Sequence, residues 1–185
     1  MSDDAPASPA AVLRTLVARA VDADPAGLDD RVEVVERGAG PKGGSGGGRD
    51  ARTPVERLAA LIAEADGVVA VVPRFDAALA RRLNESLAAV PHEVRVVFTD
   101  AAGDRLAGAT GPIVRRALAE RGVDAYRHGG ESPVAVVLAD DRAAVGLIDG
   151  DGVAALLTTD DPAVREWAAA TCRRYLDAAE PVTEG

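Results

Sequence analysis

Apolar residues recur along the chain with different spacings, and each spacing predicts a type of element. Over residues 9–21 they return every three to four positions, which predicts an amphipathic helix beginning after Ser8. Residues 31–36 alternate apolar and charged side chains, as a half-buried strand does. Short, continuous apolar runs at 67–73 and 93–99 predict strands that are covered on both faces.

Helical spacing returns between these strands. Thr53 and Glu56 form a capping box, which predicts a second helix that ends near Ala65. Asp76 is expected to cap a third helix, in which Leu79, Leu83 and Leu87 face the core. After the second apolar strand we expect, in order, a loop through Gly103 and Gly108, a helix over 112–121 and a strand over 123–127.

The C-terminal third has a different pattern. Three apolar strands are predicted there, joined by short turns rich in aspartate, which indicates an antiparallel meander. Asp160 or Asp161 then caps a closing helix. The three strands are expected at 133–139, 143–148 and 153–159.

The order of elements predicts an α/β fold with a largely parallel sheet, followed by the meander. A length of 185 residues fits one domain with a sizeable core. We divide the chain into a helix–strand extension (1–52), an α/β domain (53–182) and a short tail (183–185). The extension contains a glycine-rich segment (37–52), which is typical of a flexible surface loop.

Charge and composition narrow the function classes. The chain has 21 basic and 30 acidic residues, a net charge of −9, which disfavours direct nucleic-acid binding because the phosphate backbone is repelled. Lys42 is the single lysine, a bias that predicts a GC-rich genome of a salt-adapted (halophilic) or actinobacterial type. The acidic start and the lack of an apolar run of ~20 residues predict a soluble, cytoplasmic protein with no membrane partner.

Cofactor and metal sites are not expected. Gly38, Gly40 and Gly43 match GxGxxG, but the next helix begins only at Thr53, whereas a dinucleotide fingerprint places its third glycine in the first helical turn. One cysteine and two separated histidines, His92 and His128, leave no zinc cluster.

Ligands of α/β sheets lie beyond the carboxyl ends of the strands, and the polar side chains there are candidate ligand-binding residues. A pair of arginines at this position can hold an anionic or polyhydroxy ligand by forked hydrogen bonds. The alternative is that these residues are helix caps and solvated loop residues. The candidates are Arg74, Asp76, Thr99, Asp100, Arg105 and His128.

Two segments carry a family resemblance. Residues 133–182 contain an Asp-Asp-Arg turn, an Asp/Gly turn, a strand closing in Thr-Thr-Asp-Asp-Pro and a helix with a tryptophan; residues 53–87 hold a helix, a strand and a helix. Together they resemble the effector-binding middle domain of archaeal transcriptional regulators, of the methanogenesis-regulator (FilR) type, which is related to the sensor domain of TrmB-like regulators. The resemblance implies a phospholipase-D-like three-layer fold with a mixed sheet.

The resemblance also implies a function. Neither histidine is followed two residues later by lysine, so the HxKxxxxD pair of phospholipases is absent and we expect a non-catalytic sensor. The family's winged helix is not seen ahead of the domain, so a small-molecule effector and either a homodimer or a separate winged-helix regulator are the expected partners. The alternatives are a small hydrolase that uses His128 near Ser132, and a pure protein-interaction module.

Overall fold

The structure is a computed structural model, and it describes residues 6–38, 53–76, 79–82, 85 and 93–182. Its framework is one eight-stranded mixed sheet. The strands are β1 (Val32–Glu36), β2 (Gly67–Val72), β3 (Glu93–Phe98), β4 (Val123–Arg127), β5 (Ala135–Ala139), β6 (Arg142–Asp149), β7 (Gly152–Thr159) and β8 (Glu180–Pro181).

Six helices have complete bounds among the described residues, and 79–82 and 85 are also helical. Four of the six begin with a proline directly after a capping side chain, because proline has no N–H to lose at this position and its φ is already helical. Both hydrogen bonds of the predicted capping box are present. The N–H of Thr53 donates to the Glu56 carboxylate, and the N–H of Glu56 donates to Thr53 Oγ1. The helices are α1 (Pro9–Ala20), α2 (Pro25–Leu28), α3 (Pro54–Ala63), α4 (Asp100–Ala107), α5 (Gly111–Ala119) and α6 (Pro162–Asp177).

The strand order is β1-β7-β6-β5-β2-β3-β4-β8. Strands β2, β3 and β4 are parallel neighbours, and every other pairing is antiparallel. The predicted meander of β5, β6 and β7 is therefore confirmed, and Asp161, not Asp160, caps the closing helix α6. The fold class is confirmed as an α/β fold with a mixed sheet. The expectation of a largely parallel sheet is wrong, because β1 pairs antiparallel with the meander at β7 and β2 pairs antiparallel with β5.

Helices cover both faces of the sheet and make three layers. Helices α1 and α6 lie on one face, where Leu13, Val17 and Ala168 pack with side chains of the central strands. Helix α3 lies on the other face with Leu58 and Ile62. Helices α4 and α5 pack on that second face, around Phe98 and other buried side chains. Each central strand is thus apolar on both faces, as its continuous hydrophobic pattern predicts.

The expected loop through Gly103 is wrong, because the segment forms helix α4. A Cβ at residue 103 would lie 3.2 Å from the carbonyl oxygen of Phe98, so glycine allows the helix to approach the end of β3. The helix is held by Ala102 and Leu106, both fully or almost fully buried. Here the glycine marks close packing of a helix on a strand, and the chain breaks only at Gly108. The short helix α2 was also not predicted.

Residues before position 53 share the sheet with the rest of the chain. Strand β1 pairs along its whole length with β7, and Leu13 and Val17 of α1 are fully buried. The division of the chain at residue 52 stays a prediction. Gly40, Lys42 and Gly43 of the glycine-rich segment, Leu83, Leu87, His92 and the tail fall outside the described residues.

Candidate functional site

The three parallel strands end at one edge of the sheet, and the predicted site residues follow them there. We call this the carboxyl edge and define it as residues 73–76 after β2, 99–105 after β3 and 128–132 after β4. Backbone hydrogen bonds hold two of the segments to the neighbouring strands. The N–H of Thr99 donates to the carbonyl oxygen of Val72 at the end of β2, and the N–H of His128 donates to that of Phe98 at the end of β3. All six predicted residues therefore belong to one edge, as the strand-end rule predicts.

Asp100 connects two of these segments. Its carboxylate oxygen Oδ2 accepts a hydrogen bond from Thr99 Oγ1 at 2.8 Å and another from the backbone N–H of Ser132 at 2.9 Å. Thr99 is fully buried, and Asp100 has a φ of +48°, a left-handed conformation that is uncommon for a residue with a Cβ. This carboxylate therefore fixes the loop after β4 to the start of α4.

Asp76 also connects two segments of the chain. Its Oδ1 accepts from Leu79 N–H at 3.0 Å, which confirms that it caps the third helix. Its Oδ2 accepts from Val153 N–H at 3.1 Å, at the start of β7. Gly152 lies so close that a Cβ there would collide with the Asp76 carboxylate. Asp76 therefore shapes the edge by joining β2 to the β6–β7 turn.

Arg105 and Phe75 are in contact at the carboxyl edge. The Arg105 guanidinium lies 5.7 Å from the centre of the Phe75 ring, and that ring stacks on Phe98 at 4.9 Å. Arg74, which precedes Phe75 in the chain, is exposed. Within the part of the chain that the structure describes, neither guanidinium has a hydrogen bond or an ion pair. Two arginines, one just after β2 and one on α4, thus have their N–H groups available.

A third arginine, Arg127, lies along the helix that carries Arg105. Arg127 ends β4, and its Cγ would be 3.6 Å from a Cβ at Gly103, so it lies along α4. Its ion pair with Asp104 is long, at 3.9 Å, and both side chains are largely exposed. Such an exposed, loose pair contributes little to stability.

His128 and Ser132 lie on one loop but do not form a dyad. His128 Nδ1 accepts the N–H of Gly130 at 2.8 Å, and its ring packs edge-on against Tyr175. Ser132 Oγ donates to the carbonyl oxygen of Val134 at 2.7 Å. The hydroxyl proton that a general base would remove is therefore engaged in a hydrogen bond to a backbone carbonyl and not directed at His128.

Neither the cysteine nor a metal cluster supplies a catalytic group among the described residues. Burial raises the pKa of the Cys172 thiol to about 12, so it is protonated at neutral pH and a poor nucleophile. The described ranges contain no cluster of histidine, cysteine and carboxylate side chains that could hold a metal ion. In the same ranges no helix is long and apolar enough to cross a bilayer.

One feature near the edge was missed by the sequence patterns. Arg37, just after β1, makes two hydrogen bonds to the Asp149 carboxylate at the end of β6, of 3.1 Å and 2.6 Å. The guanidinium holds the pKa of Asp149 below its usual value, and the carboxylate raises the pKa of Arg37. The sequence signals this pair only by an arginine after one strand and an aspartate at the end of another. That signal could be used only if the strand order, which places β1 near β6, were already known.

The fold defines a class of protein. A mixed sheet with helices on both faces is shared with Nuc, a phospholipase D family member from Salmonella typhimurium, at a TM-score of 0.56 and 13% identity over 81% of this chain and 96% of that chain. It is shared with NucT from Helicobacter pylori at a TM-score of 0.55 and 16% identity, over 69% and 90% of the two chains. The domain therefore has a phospholipase-D-like fold.

A DNA-binding protein shares the fold as well. TrmBL2, an archaeal chromatin protein, matches at a TM-score of 0.52 and 12% identity over 81% of this chain, which spans about half (54%) of the TrmBL2 chain. The sequence profile for the middle domain of the methanogenesis regulatory protein FilR1 matches residues 51–178, and this chain belongs to that family. It is the regulatory middle domain of a transcription-regulator family, which confirms the resemblance. No curated protein sequence matches the chain.

Proposed function

We propose that this chain is a non-catalytic sensor domain that binds a small-molecule effector at the carboxyl edge. The observation that carries the proposal is the exposure of Arg74, after β2, and of Arg105, on α4, with no polar partner among the described residues. Ligands of α/β sheets bind at this place, and the membership of a regulatory family supports a sensing role.

The absence of catalysis is part of the proposal. The fold is shared with nucleases, but each histidine of this chain lacks a lysine two residues later, and the Ser132 hydroxyl donates to a backbone carbonyl. We expect no hydrolysis of a chromogenic phosphodiester above the buffer rate. Hydrolysis by the purified chain that disappears in His128→Ala would support the hydrolase alternative and contradict the proposal.

A thermal-shift screen of sugars, organic acids and nucleotides tests effector binding. A compound at a hundredfold excess over its Kd stabilises by about 2.7 kcal/mol, which raises the Tm of a chain of this size by roughly 5–10 °C. The shift should be lost in Arg74→Gln. It should persist in Arg19→Gln, which removes the same charge from an exposed position in the last turn of α1. No shift with any compound would contradict effector binding.

We further propose that the domain acts in the cytoplasm as a homodimer or with a separate winged-helix regulator, without contacting nucleic acid itself. The net charge of −9 supports the last point, because a polyanion is repelled. Ile113 on α5 is 73% exposed, a large apolar side chain that a protein contact would cover.

A further inference from the structure

The β4–β5 loop, residues 128–132, is fixed to the rest of the protein at both ends. The N–H of His128 donates to the carbonyl oxygen of Phe98 at 3.0 Å. The N–H of Ser132 donates to Asp100 Oδ2 at 2.9 Å. Between these ends the loop has no backbone–backbone hydrogen bond to any described residue. The conformation of the middle of the loop therefore depends on side chains that bind its backbone.

Two aromatic side chains hold the middle of the loop. Tyr175 Oη, on α6, donates to the carbonyl oxygen of Glu131 at 2.7 Å. His128 Nδ1 accepts the N–H of Gly130 at 2.8 Å, and the half-buried imidazole packs edge-on against Tyr175, with 4.9 Å between the ring centres. The imidazole lies directly on the loop backbone, because a Cβ at residue 130 would be 2.7 Å from its Cε1.

The hydrogen bond from Gly130 requires a neutral imidazole. An unprotonated ring nitrogen accepts an N–H, whereas both nitrogens of an imidazolium are donors, so no rotation of a protonated ring restores the acceptor. Histidine is the side chain whose charge ordinarily changes between about pH 5 and about pH 8. A proton on His128 Nδ1 would face the N–H of Gly130 across 2.8 Å, donor against donor.

No carboxylate in the described part of the chain holds a protonated His128 in this position. The ring has no ion pair there, Asp100 already accepts from Thr99 and Ser132, and Asp104 pairs with Arg127. A protonated ring therefore gains no counter-charge that offsets the lost hydrogen bond. Besides Tyr175, the charged residues on the loop and on the elements next to it are Arg127, Glu131, Asp100 and Asp104, Glu180 of β8 and Arg174 of α6, whose guanidinium lies 5.5 Å from the centre of the Tyr175 ring.

We infer that protonation of His128 releases the middle of the β4–β5 loop, from Gly129 to Glu131, and makes this edge of the sheet sensitive to pH. The neutral ring keeps Gly130 bound. The charged ring loses that bond and turns towards solvent, where water accepts both of its N–H groups. The inference concerns the loop alone, so it stands whether or not an effector binds at the carboxyl edge.

Amide hydrogen exchange followed by NMR at about pH 8 and about pH 5 tests the inference. Exchange is expressed as protection factors, which remove the intrinsic dependence of exchange on pH. The variant His128→Asn places an oxygen acceptor as many bonds from the backbone as Nδ1 and does not titrate, whereas His128→Phe keeps a ring without an acceptor. The control His92→Gln removes the other histidine of the sequence.

The expected result is a loss of Gly130 protection by about fivefold at the lower pH, as the loss of one hydrogen bond predicts. The loss should occur in the wild type and in His92→Gln, while the ring nitrogen shifts of His128 show that it gains a proton. His128→Asn should stay protected at both pH values, and His128→Phe should be unprotected at both. The amide of the buried Val97 should stay protected throughout.

Three results would overturn the inference. The first is a Gly130 amide that is equally protected at both pH values in the wild type. The second is a loss of protection that persists in His128→Asn or is absent from His92→Gln, because the titrating group is then not His128. The third is a loss that Val97 shares, because the change is then global unfolding and not release of the loop.

Discussion

Asp100 shows how much a single residue at the carboxyl edge contributes. A left-handed backbone costs about 1–3 kcal/mol for a residue with a Cβ, and the conformation is kept because the carboxylate accepts from Thr99 and Ser132. The Thr99 side chain has no contact with solvent, so its hydroxyl depends on that acceptor. The strain is therefore balanced by hydrogen bonds that hold the site's loop.

Substitution of Asp100 separates these two effects. Asp100→Ala loses the acceptor and keeps the strain, so we expect a loss of about 2–3 kcal/mol in the free energy of unfolding. Asp100→Gly loses the same acceptor but adopts a positive φ without strain, so it should be less destabilised by about 1 kcal/mol. Urea unfolding measures both variants. Equal or lower stability of Asp100→Gly would contradict the role of strain.

At the scale of elements, the β6–β7 hairpin is the connection that the edge depends on. Asp76 binds the N–H of Val153, and Gly152 has a φ of +109° directly against the Asp76 carboxylate. Arg37 binds Asp149 at the other end of the same turn. The hairpin is thus attached to β1 on one side and to the segment after β2 on the other.

Two glycines of this turn form a matched pair. Gly152→Ala places a Cβ in the left-handed region and against the Asp76 carboxylate, so we expect a loss of at least about 2 kcal/mol. Gly150→Ala meets no atom within 4 Å and needs no unusual φ, so it should be close to neutral. Thermal unfolding compares the two variants. A Gly152→Ala protein as stable as Gly150→Ala would contradict the contact with Asp76.

The Arg37–Asp149 pair predicts a dependence on pH. The folded pKa of Asp149 is lowered from 3.8, so its contribution to stability is present above about pH 4 and is lost as the pH falls through the folded pKa. The wild type should be more stable than Arg37→Gln at neutral pH, and this difference should shrink below about pH 4. Urea unfolding from pH 7 to pH 3 measures it. A difference that does not change with pH would contradict the ion pair.

Elements with a complete local signal could be predicted from the sequence. The capping box at Thr53, the buried run of β2 and the meander from residue 133 to 159 each contain their own pattern, and the structure has them. Helix α4 was missed because the reason for Gly103 is not local. The glycine is required by contact with the Phe98 carbonyl, and a single sequence does not show that contact.

The candidate site shows the same limit at the level of the whole molecule. The rule that ligands bind beyond the carboxyl ends of parallel strands predicted that Arg74, Asp100 and His128 lie at one edge, although the strand order was not known. It did not show that Asp76 is joined to Val153, or that Arg105 lies over Phe75. Both contacts depend on how distant segments pack, which only the assembled sheet provides.

The assembled molecule also predicts an oligomeric state. We expect light scattering to give twice the 18.9 kDa of one chain. The exposed Ile113 indicates a surface that a protein contact covers, and a second copy of the chain is the simplest partner for it. Ile113→Glu should shift the mass to that of a monomer while leaving the Tm nearly unchanged. A monomeric wild type at all concentrations would contradict a homodimer and favour a separate partner chain.

The central claim is that effector binding takes place at the carboxyl edge, and amide NMR spectra of the labelled chain test it most directly. Pooled sugars, organic acids and nucleotides would be added while the backbone amide shifts are recorded. The account predicts shifts grouped at Phe75, from Asp100 to Gly103 and from His128 to Ser132, with none near Arg19. Shifts that are absent with every pool, or that group at the opposite edge of the sheet, would contradict it.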